Sequence, residues 1–237
     1  MIKAAIEYIV GLGNTKIEEV NGQQYSTERL HLVPEATPES LKVRSLSGLV
    51  EYLKSEFDED EFDGKMIHVV SPTEVLVFST YNQDYSRNEY IRAQAMLPEF
   101  SFDRFYSSED FNIKLQSSFV KNEDRDIMLK VVGNIKEENV NTVGDDGVSQ
   151  SVVAKTGVAT VGNVLVPNPV VLKPYRTFVE VDQPESDFIF RMKNGPACAL
   201  FEADGGAWKL AAMKNIRTYL QEELSSEIEK GQLVIIA

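Results

Sequence analysis

Short apolar segments separated by glycine or proline fill much of the second half of this 237-residue chain. Turn residues recur about every 8 to 12 positions there, a spacing typical of antiparallel sheets in which short strands alternate with tight turns. The predicted strands cover residues 139–143, 148–155, 158–166, 170–173, 176–181, 187–192 and 197–202. The pattern therefore predicts a largely antiparallel β sandwich or partial barrel, closed by a C-terminal helix over residues 208–224.

The first 134 residues mix helical and strand patterns. Apolar residues at helical spacing predict helices over residues 2–10, 46–57, 108–119 and 124–132. Alternating patterns and an Asn-Gly turn predict strands over residues 16–20, 23–33, 66–70, 73–80 and 90–96. The predicted fold class is therefore α+β. A mixed α/β N-terminal region covers residues 1–134 and a strand-rich region covers residues 135–237, unless the two form one continuous domain.

The charge balance of the chain is acidic. It has 24 Lys and Arg residues against 37 Asp and Glu residues, which gives a formal net charge of -13. This balance excludes a basic nucleic-acid coat, and direct binding to bulk DNA is not expected. It is compatible with an acidic decoy whose carboxylates imitate nucleic-acid phosphates, which is the first alternative for the function.

The single cysteine, Cys198, stands in an apolar stretch. An intramolecular disulfide is therefore impossible, and we expect a buried thiol in a reducing compartment. The N-terminal residues lack the pattern of a signal peptide, and no apolar run approaches the ~20 residues that cross a bilayer. The sequence thus predicts a cytoplasmic protein with no membrane partner.

Two acidic segments invite comparison with metal sites. Residues 51–63 are rich in acids, but counting from Asp58 the ligand positions of a calcium loop are not filled, so we predict a solvated acidic loop. Asp145 and Asp146 lie in a Gly-Asp-Asp-Gly segment that suits a type I turn. A metal-dependent phosphodiesterase built on Asp145, Asp146 and Asp204 is the second alternative for the function.

The sequence carries no motif for catalysis or for a cofactor. Its two histidines, His31 and His68, lie in predicted strands without the spacing of a zinc site or of a catalytic triad. Asp204 precedes two glycines at the start of the last helix, where it is expected to cap the first amides. We therefore predict no catalytic residue, no metal and no cofactor, and a non-enzymatic role is favoured.

Basic and aromatic residues alternate in part of the strand-rich half. Such a mixture can hold a phosphate group or stack on a base, which would suit a small nucleotide. It is also typical of edge strands, where Lys and Arg prevent unwanted pairing. The candidate ligand-binding residues are Lys173, Tyr175, Arg176, Arg191 and Lys193.

Three strings of sequence are distinctive: GDDGVSQSVVAKTGV, VPNPVVLKPYRTFVEVDQPESDFIFRM and ALFEADGGAWKLAAM. Over about residues 130–225 the chain resembles a group of bacteriophage and prophage proteins related to the YfdQ-like family. The Ser-Leu-x-x-Leu-x-x-Tyr-Leu helix at residues 45–53 is also similar to an N-terminal segment of that family. The resemblance implies a phage origin. It transfers no catalytic or binding residue, because the shared motifs carry no assigned chemistry.

These patterns favour a non-enzymatic phage accessory protein in the cytoplasm of the host bacterium. We expect a homo-oligomer, because the many strands and the apolar C-terminal segment at residues 233–236 suit an interface. We also expect binding of a host or phage protein or of a small nucleotide. Specific forms of this role are sequestration of a nucleotide signal and blocking of a defence protein.

Overall fold

The computed structural model describes residues 2–13, 16–20, 23–26, 37, 39–55, 57, 64–82, 85–133, 143–145, 150–156, 160–165, 167–193 and 197–237. The chain divides into two compact units, Met1–Pro38 and Glu39–Ala237. Helices and strands occur in both units, so the predicted α+β class is confirmed. Within the described residues, no helix combines the length and the apolar character needed to cross a bilayer.

The described helices and strands follow one another along the chain. In chain order they are α1 (Ile2–Leu12), β1 (Ile17–Val20), β2 (Gln23–Ser26), β3 (Leu41–Val43), α2 (Leu46–Ser55), β4 (Lys65–Ser71), β5 (Glu74–Ser79), β6 (Glu89–Gln94), β7 (Tyr106–Ser107), α3 (Ser108–Ser118), α4 (Glu123–Gly133), β8 (Val143–Asp145), β9 (Gln150–Thr156), β10 (Thr160–Leu165), β11 (Val170–Leu172), β12 (Ser186–Lys193), β13 (Ala197–Glu202), α5 (Trp208–Glu223), α6 (Ser225–Glu229) and β14 (Leu233–Ile236).

The first unit contains helix α1 and the antiparallel hairpin of β1 and β2. Val20 pairs with Gln23 in the antiparallel register. The predicted Asn-Gly turn, at residues 21 and 22, lies outside the described residues. The predicted helix and the start of the predicted hairpin are therefore confirmed. The rest of the second predicted strand, at residues 27–33, lies outside the described residues and so does His31.

A five-stranded mixed sheet forms one layer of the second unit, in the order β14-β4-β5-β6-β3. The three central strands are antiparallel, and each edge strand runs parallel to its neighbour. Helices α2 and α5 contribute the other side of its core, because their apolar residues recur at intervals of three and four. The buried helix residues are Leu46, Leu49, Val50, Leu53, Ala212, Ile216 and Leu220. Since β14 pairs with β4, segments on both sides of residue 134 share this sheet.

A second, antiparallel sheet has the order β11-β12-β13-β7. Its buried face packs with helices α3 and α4 in a separate apolar cluster that contains Phe111, Phe119 and Phe188. The strand-rich half therefore differs from a simple sandwich, because helices cover this sheet and the C-terminal helix α5 packs with the five-stranded sheet. Strands β10, β9 and β8 form a third, antiparallel sheet.

The predicted strand at residues 176–181 is wrong. These residues form an irregular loop with several buried side chains. The side chain of Gln183 satisfies the backbone there, because its Oε1 accepts from the amides of Arg176 and Thr177 at 3.0 and 3.3 Å. Its Nε2 donates to two carbonyl oxygens of the same segment. The Gln183 side chain thus makes the backbone hydrogen bonds that a neighbouring strand makes in a sheet.

Candidate functional site

Arg176, the central residue of the predicted ligand site, is buried, with only 7% of its surface exposed. Its Nη1 donates to Glu202 Oε1 at 2.5 Å, and its Nη2 donates to Ser186 Oγ. The guanidinium group lies over the ring of Trp208, 3.9 Å from the ring centroid. Arg176 therefore connects the start of β12, the end of β13 and the start of α5.

The surroundings of Arg176 are unfavourable for a bound phosphate group. Burial lowers the pKa of Arg176 to about 10, and two nearby carboxylates oppose this shift. One of them, Asp204, accepts from Ser186 Oγ at 2.6 Å and from the amide of Gly206 at 3.0 Å. Burial acts to raise the pKa of Asp204, but these hydrogen bonds and the charge of Arg176 lower it overall. A phosphate group at this position would meet two carboxylates that already neutralise the arginine.

Arg191 and Lys193 lie on the opposite face of β12 from the buried side chains. Arg176 contacts Ser186, which is buried at the start of the same strand. At a rise of ~3.3 Å per residue, Arg191 lies roughly 16 Å along the strand from that contact. Lys193 is exposed, and its Nζ lies 3.8 Å from the centroid of the Phe105 ring. These two cations therefore do not form one site with Arg176.

Lys173 and Tyr175 flank Arg176 in sequence but make separate contacts. Lys173 Nζ pairs with Glu185 Oε1 at 3.3 Å in a partly exposed ion pair. The amide of Tyr175 donates to the carbonyl of Ser118, at the end of α3, at 2.9 Å. The structure thus distributes the five predicted ligand-binding residues over different environments.

The carboxylates considered for a metal are not brought together by the described part of the chain. Asp146 lies outside the described residues, and only the backbone of Asp145 is described. Both oxygens of Asp204 are engaged by hydrogen bonds. Of the acidic segment at residues 51–63, the structure describes 51–55 and 57. Among the described residues, no group of His, Cys, Asp and Glu side chains is arranged to hold a metal ion.

Cys198 is fully buried, and burial raises its pKa to about 12. A thiol that stays protonated at neutral pH is a poor nucleophile and a poor metal ligand. The prediction of a buried thiol is therefore confirmed. His68 lies in β4, opposite Leu76 of β5.

Helix α1 presents apolar side chains to solvent along its whole length. Its six large apolar residues are between 55% and 79% exposed, and no residue of the helix is buried. Its two charged residues, Lys3 and Glu7, lie one turn apart and pair at 3.9 Å. Exposed apolar surface of this kind is typical of interaction sites.

Strand β14 forms an open edge of the five-stranded sheet. Leu233 is buried in the core, whereas Val234 and Ile236 are 59% and 46% exposed on the other face. Among the described strands, none pairs with the outer side of β14. The strand also lacks the charged residues, prolines and bulges with which soluble proteins protect such edges.

The loop between β5 and β6 presents two tyrosine rings. Tyr81 and Tyr85 are largely exposed, with ring centroids 6.5 Å apart in an edge-to-face arrangement. The Arg87 guanidinium lies 4.0 Å from the centroid of the Tyr81 ring. Tyr85 adopts a left-handed conformation with φ of 63°, which bulky residues rarely do. The amide and side chain of Asn82 donate to Ser86 at 2.9 and 3.1 Å; residues 83 and 84 between them lie outside the described residues.

Sequence reasoning missed this tyrosine loop. The signal was the concentration of Tyr, Asn, Ser and Arg at residues 81–90, a composition that is typical of protein-binding loops. The sequence patterns predict instead a ligand site at the basic residues near Arg176. Those residues have a similar composition but are placed by tertiary contacts that a strand pattern does not show.

Comparison of this chain with known protein families, with curated proteins and with solved structures finds no match. The resemblance to the phage group therefore stays a prediction. The described residues present three exposed features with the character of contact surfaces: helix α1, the edge of β14 and the tyrosine loop.

Proposed function

We propose that this chain is a non-enzymatic accessory protein of a bacteriophage, which self-associates in the cytoplasm of the host bacterium and binds a host or phage component. The phage origin and the host compartment come from the sequence patterns and the resemblance. Self-association and partner binding draw support from exposed surfaces of the second unit.

The open edge of β14 is the observation that carries the proposal. The backbone amide and carbonyl groups on the outer side of an edge strand bind either water or another extended strand. A second copy related by a twofold axis offers the same strand in antiparallel orientation. Val234 and Ile236 of both copies would then lie on one face of the joined sheet, next to Met66 of β4, which pairs with Val234.

The tyrosine loop supports binding of a partner protein. Tyrosine and arginine side chains supply much of the binding energy at protein interfaces, and here Tyr81, Tyr85 and Arg87 lie together. Because the side chain of Asn82 donates hydrogen bonds to Ser86 and Asn88, these residues lose less conformational entropy on binding. Blocking of a defence protein fits this surface better than sequestration of a nucleotide, which was expected to use the buried Arg176.

The two alternative functions have less support. The phosphodiesterase requires the Asp204 carboxylate, whose oxygens accept hydrogen bonds from Ser186 and Gly206. The acidic decoy rests on the net charge of -13, a property that many acidic proteins share and that relates first to solubility.

Light scattering coupled to size-exclusion chromatography tests the self-association. We expect the wild-type chain to form an assembly of two or more 26.6 kDa copies, and the Val234→Lys, Ile236→Lys double variant to form a smaller one. Lysines on the edge strand repel the same strand of a second copy. The control is Ile113→Lys, since Ile113 is similarly exposed but lies on α3. A monomeric wild type, or a double variant of unchanged mass, would contradict the proposal.

A further inference from the structure

We infer that helix α1 is a second contact between copies of this chain, in which α1 helices of different copies pack together along one apolar stripe. This inference rests on the proposed function, because it names a further contact of the same self-association. The contact belongs to the first compact unit, whereas the edge of β14 belongs to the second.

Over its one and a half heptads, α1 places apolar residues at the core positions of a helix that packs against other helices. Ile2 and Ile9 are seven residues apart and take the first core position, and Ala5 and Leu12 take the second. Ile6 and Tyr8 fall beside these core positions and widen the stripe. The remaining side chains, including the charged pair, fall on the side that such a packing leaves in water.

The stability of α1 itself calls for a partner. An isolated helix shorter than ~12–15 residues is marginal in water, and helices in proteins owe most of their stability to the burial of an apolar face. Helix α1 has 11 residues, and none of them is buried. Packing against other copies supplies the missing burial.

Length and charge favour a second copy over a membrane. At 1.5 Å per residue, α1 is roughly 16 Å long, about half the thickness of a bilayer core. Helices that lie on anionic membrane surfaces are rich in Lys and Arg, whereas α1 has one Lys paired with one Glu. The whole chain carries a net charge of -13, which anionic lipids repel. The α1 helix of a second copy has the same length, no net charge and the same apolar stripe, so it can cover the stripe of the first.

Two neighbouring residues of α1 provide a matched test. Ile9 and Val10 are 66% and 61% exposed, but only Ile9 lies on the stripe. Native mass spectrometry of the 237-residue chain compares Ile9→Asp with Val10→Asp. Each change is made both in the wild type and in the Val234→Lys, Ile236→Lys variant. We expect Ile9→Asp to lower the mass in both backgrounds, down to the 26.6 kDa monomer when the edge is also blocked. Val10→Asp should leave the mass unchanged.

A second readout follows the helix directly. If copies pack through α1, the helical signal in far-ultraviolet circular dichroism rises with the concentration of the wild-type and Val10→Asp proteins, but not with that of Ile9→Asp. Unchanged mass in Ile9→Asp, or an equal effect of Val10→Asp, would overturn the inference. Sedimentation with phosphatidylcholine vesicles that Ile9→Asp abolishes, without any change of mass, would also overturn it and would assign α1 to a lipid surface.

The two proposals fail separately. If the Val234→Lys, Ile236→Lys variant forms a smaller assembly and Ile9→Asp does not, copies associate through β14 and the proposed α1 contact is wrong. If only Ile9→Asp lowers the mass of the assembly, the copies associate through α1, and the open edge of β14 is not a contact between them.

Discussion

The side chain of Arg176 joins a carboxylate, a hydroxyl group and an aromatic ring that come from three different elements. It donates to Glu202 and Ser186, and it stacks on Trp208. Removing one member of a buried ion pair leaves the other without its partner, at a cost of about 3–5 kcal/mol. Because the Glu202 side chain is 38% exposed, water can solvate its carboxylate once the arginine is removed, and the cost should be smaller here.

Arg176→Ala should therefore lower the free energy of unfolding by about 2–3 kcal/mol. Urea denaturation measures this change. The control is Arg191→Ala on the opposite face of β12, for which we expect a change within about 0.5 kcal/mol. If the two variants were equally stable, Arg176 would not have the structural role described here.

The candidate ligand site shows the limit of prediction at the residue scale. Basic residues alternating with aromatic residues have the same pattern whether an arginine points outward or inward. Arg176 points inward because the Gln183 side chain bonds to its backbone and folds the segment into a loop. Such a contact between side chain and backbone leaves no periodic pattern in the sequence. The burial of Cys198 was predictable, since its neighbours in sequence are all apolar.

Helix α2 receives its cap from a segment far away in sequence. Glu180 Oε1 accepts from the amides of Leu46 and Ser47 at 2.8 and 3.3 Å. Ser45 Oγ accepts from the amide of Gly48 at 3.1 Å, which is the hydrogen bond of an N-terminal cap. A carboxylate is also favoured at this end of a helix because the helix dipole is positive there.

Glu180→Gln should lower the free energy of unfolding by about 1 kcal/mol, because the charge that faces the helix terminus is lost. Thermal or urea unfolding measures the change. Glu185→Gln serves as the control, because Glu185 is 59% exposed and its ion pair with Lys173 should contribute no more than about 0.5 kcal/mol. A larger effect of Glu185→Gln would show that the cap contributes less than a surface ion pair.

Elements with a local signal were predicted well. The helices α2, α3 and α4 appear close to their predicted positions, because the apolar residues that predict each helix lie within a few residues of each other. Strand partners are decided by distant segments, so the pairing of β14 with β4 was not predictable. Neither was the helical cover of the second sheet, since a strand pattern shows that one face is buried without showing what buries it.

At the scale of the whole molecule, contacts lower the pKa of two carboxylates. Glu89 accepts two hydrogen bonds from Arg92 and one from Ser40, and the bond from Arg92 is the largest cause of its lowered pKa. For Asp204, burial acts to raise the pKa, but hydrogen bonds and the charge of Arg176 together outweigh it and the pKa is lowered. A carboxyl group with a lower pKa in the folded state binds protons more readily when the chain is unfolded.

The stabilisation from these two groups is therefore present above their ordinary pKa values of 4.5 and 3.8 and is lost as the pH falls below them. We expect the Glu89→Gln, Asp204→Asn double variant to be less stable than the wild type at neutral pH. The difference in free energy of unfolding should shrink as the pH is lowered through this range. Denaturation at a series of pH values tests this, and a constant difference would be inconsistent with the lowered pKa values.

The parallel pairing of β14 with β4 also has a consequence for how the chain folds. Leu233 lies beside Lys65, and most of the second unit separates them in sequence. Contacts between such distant segments form slowly, because a long loop must close before they become favourable. Until β14 and α5 arrive, one side of β4 and the apolar core beneath it stay uncovered. This interval is when a newly made chain is most prone to aggregate and most dependent on chaperones.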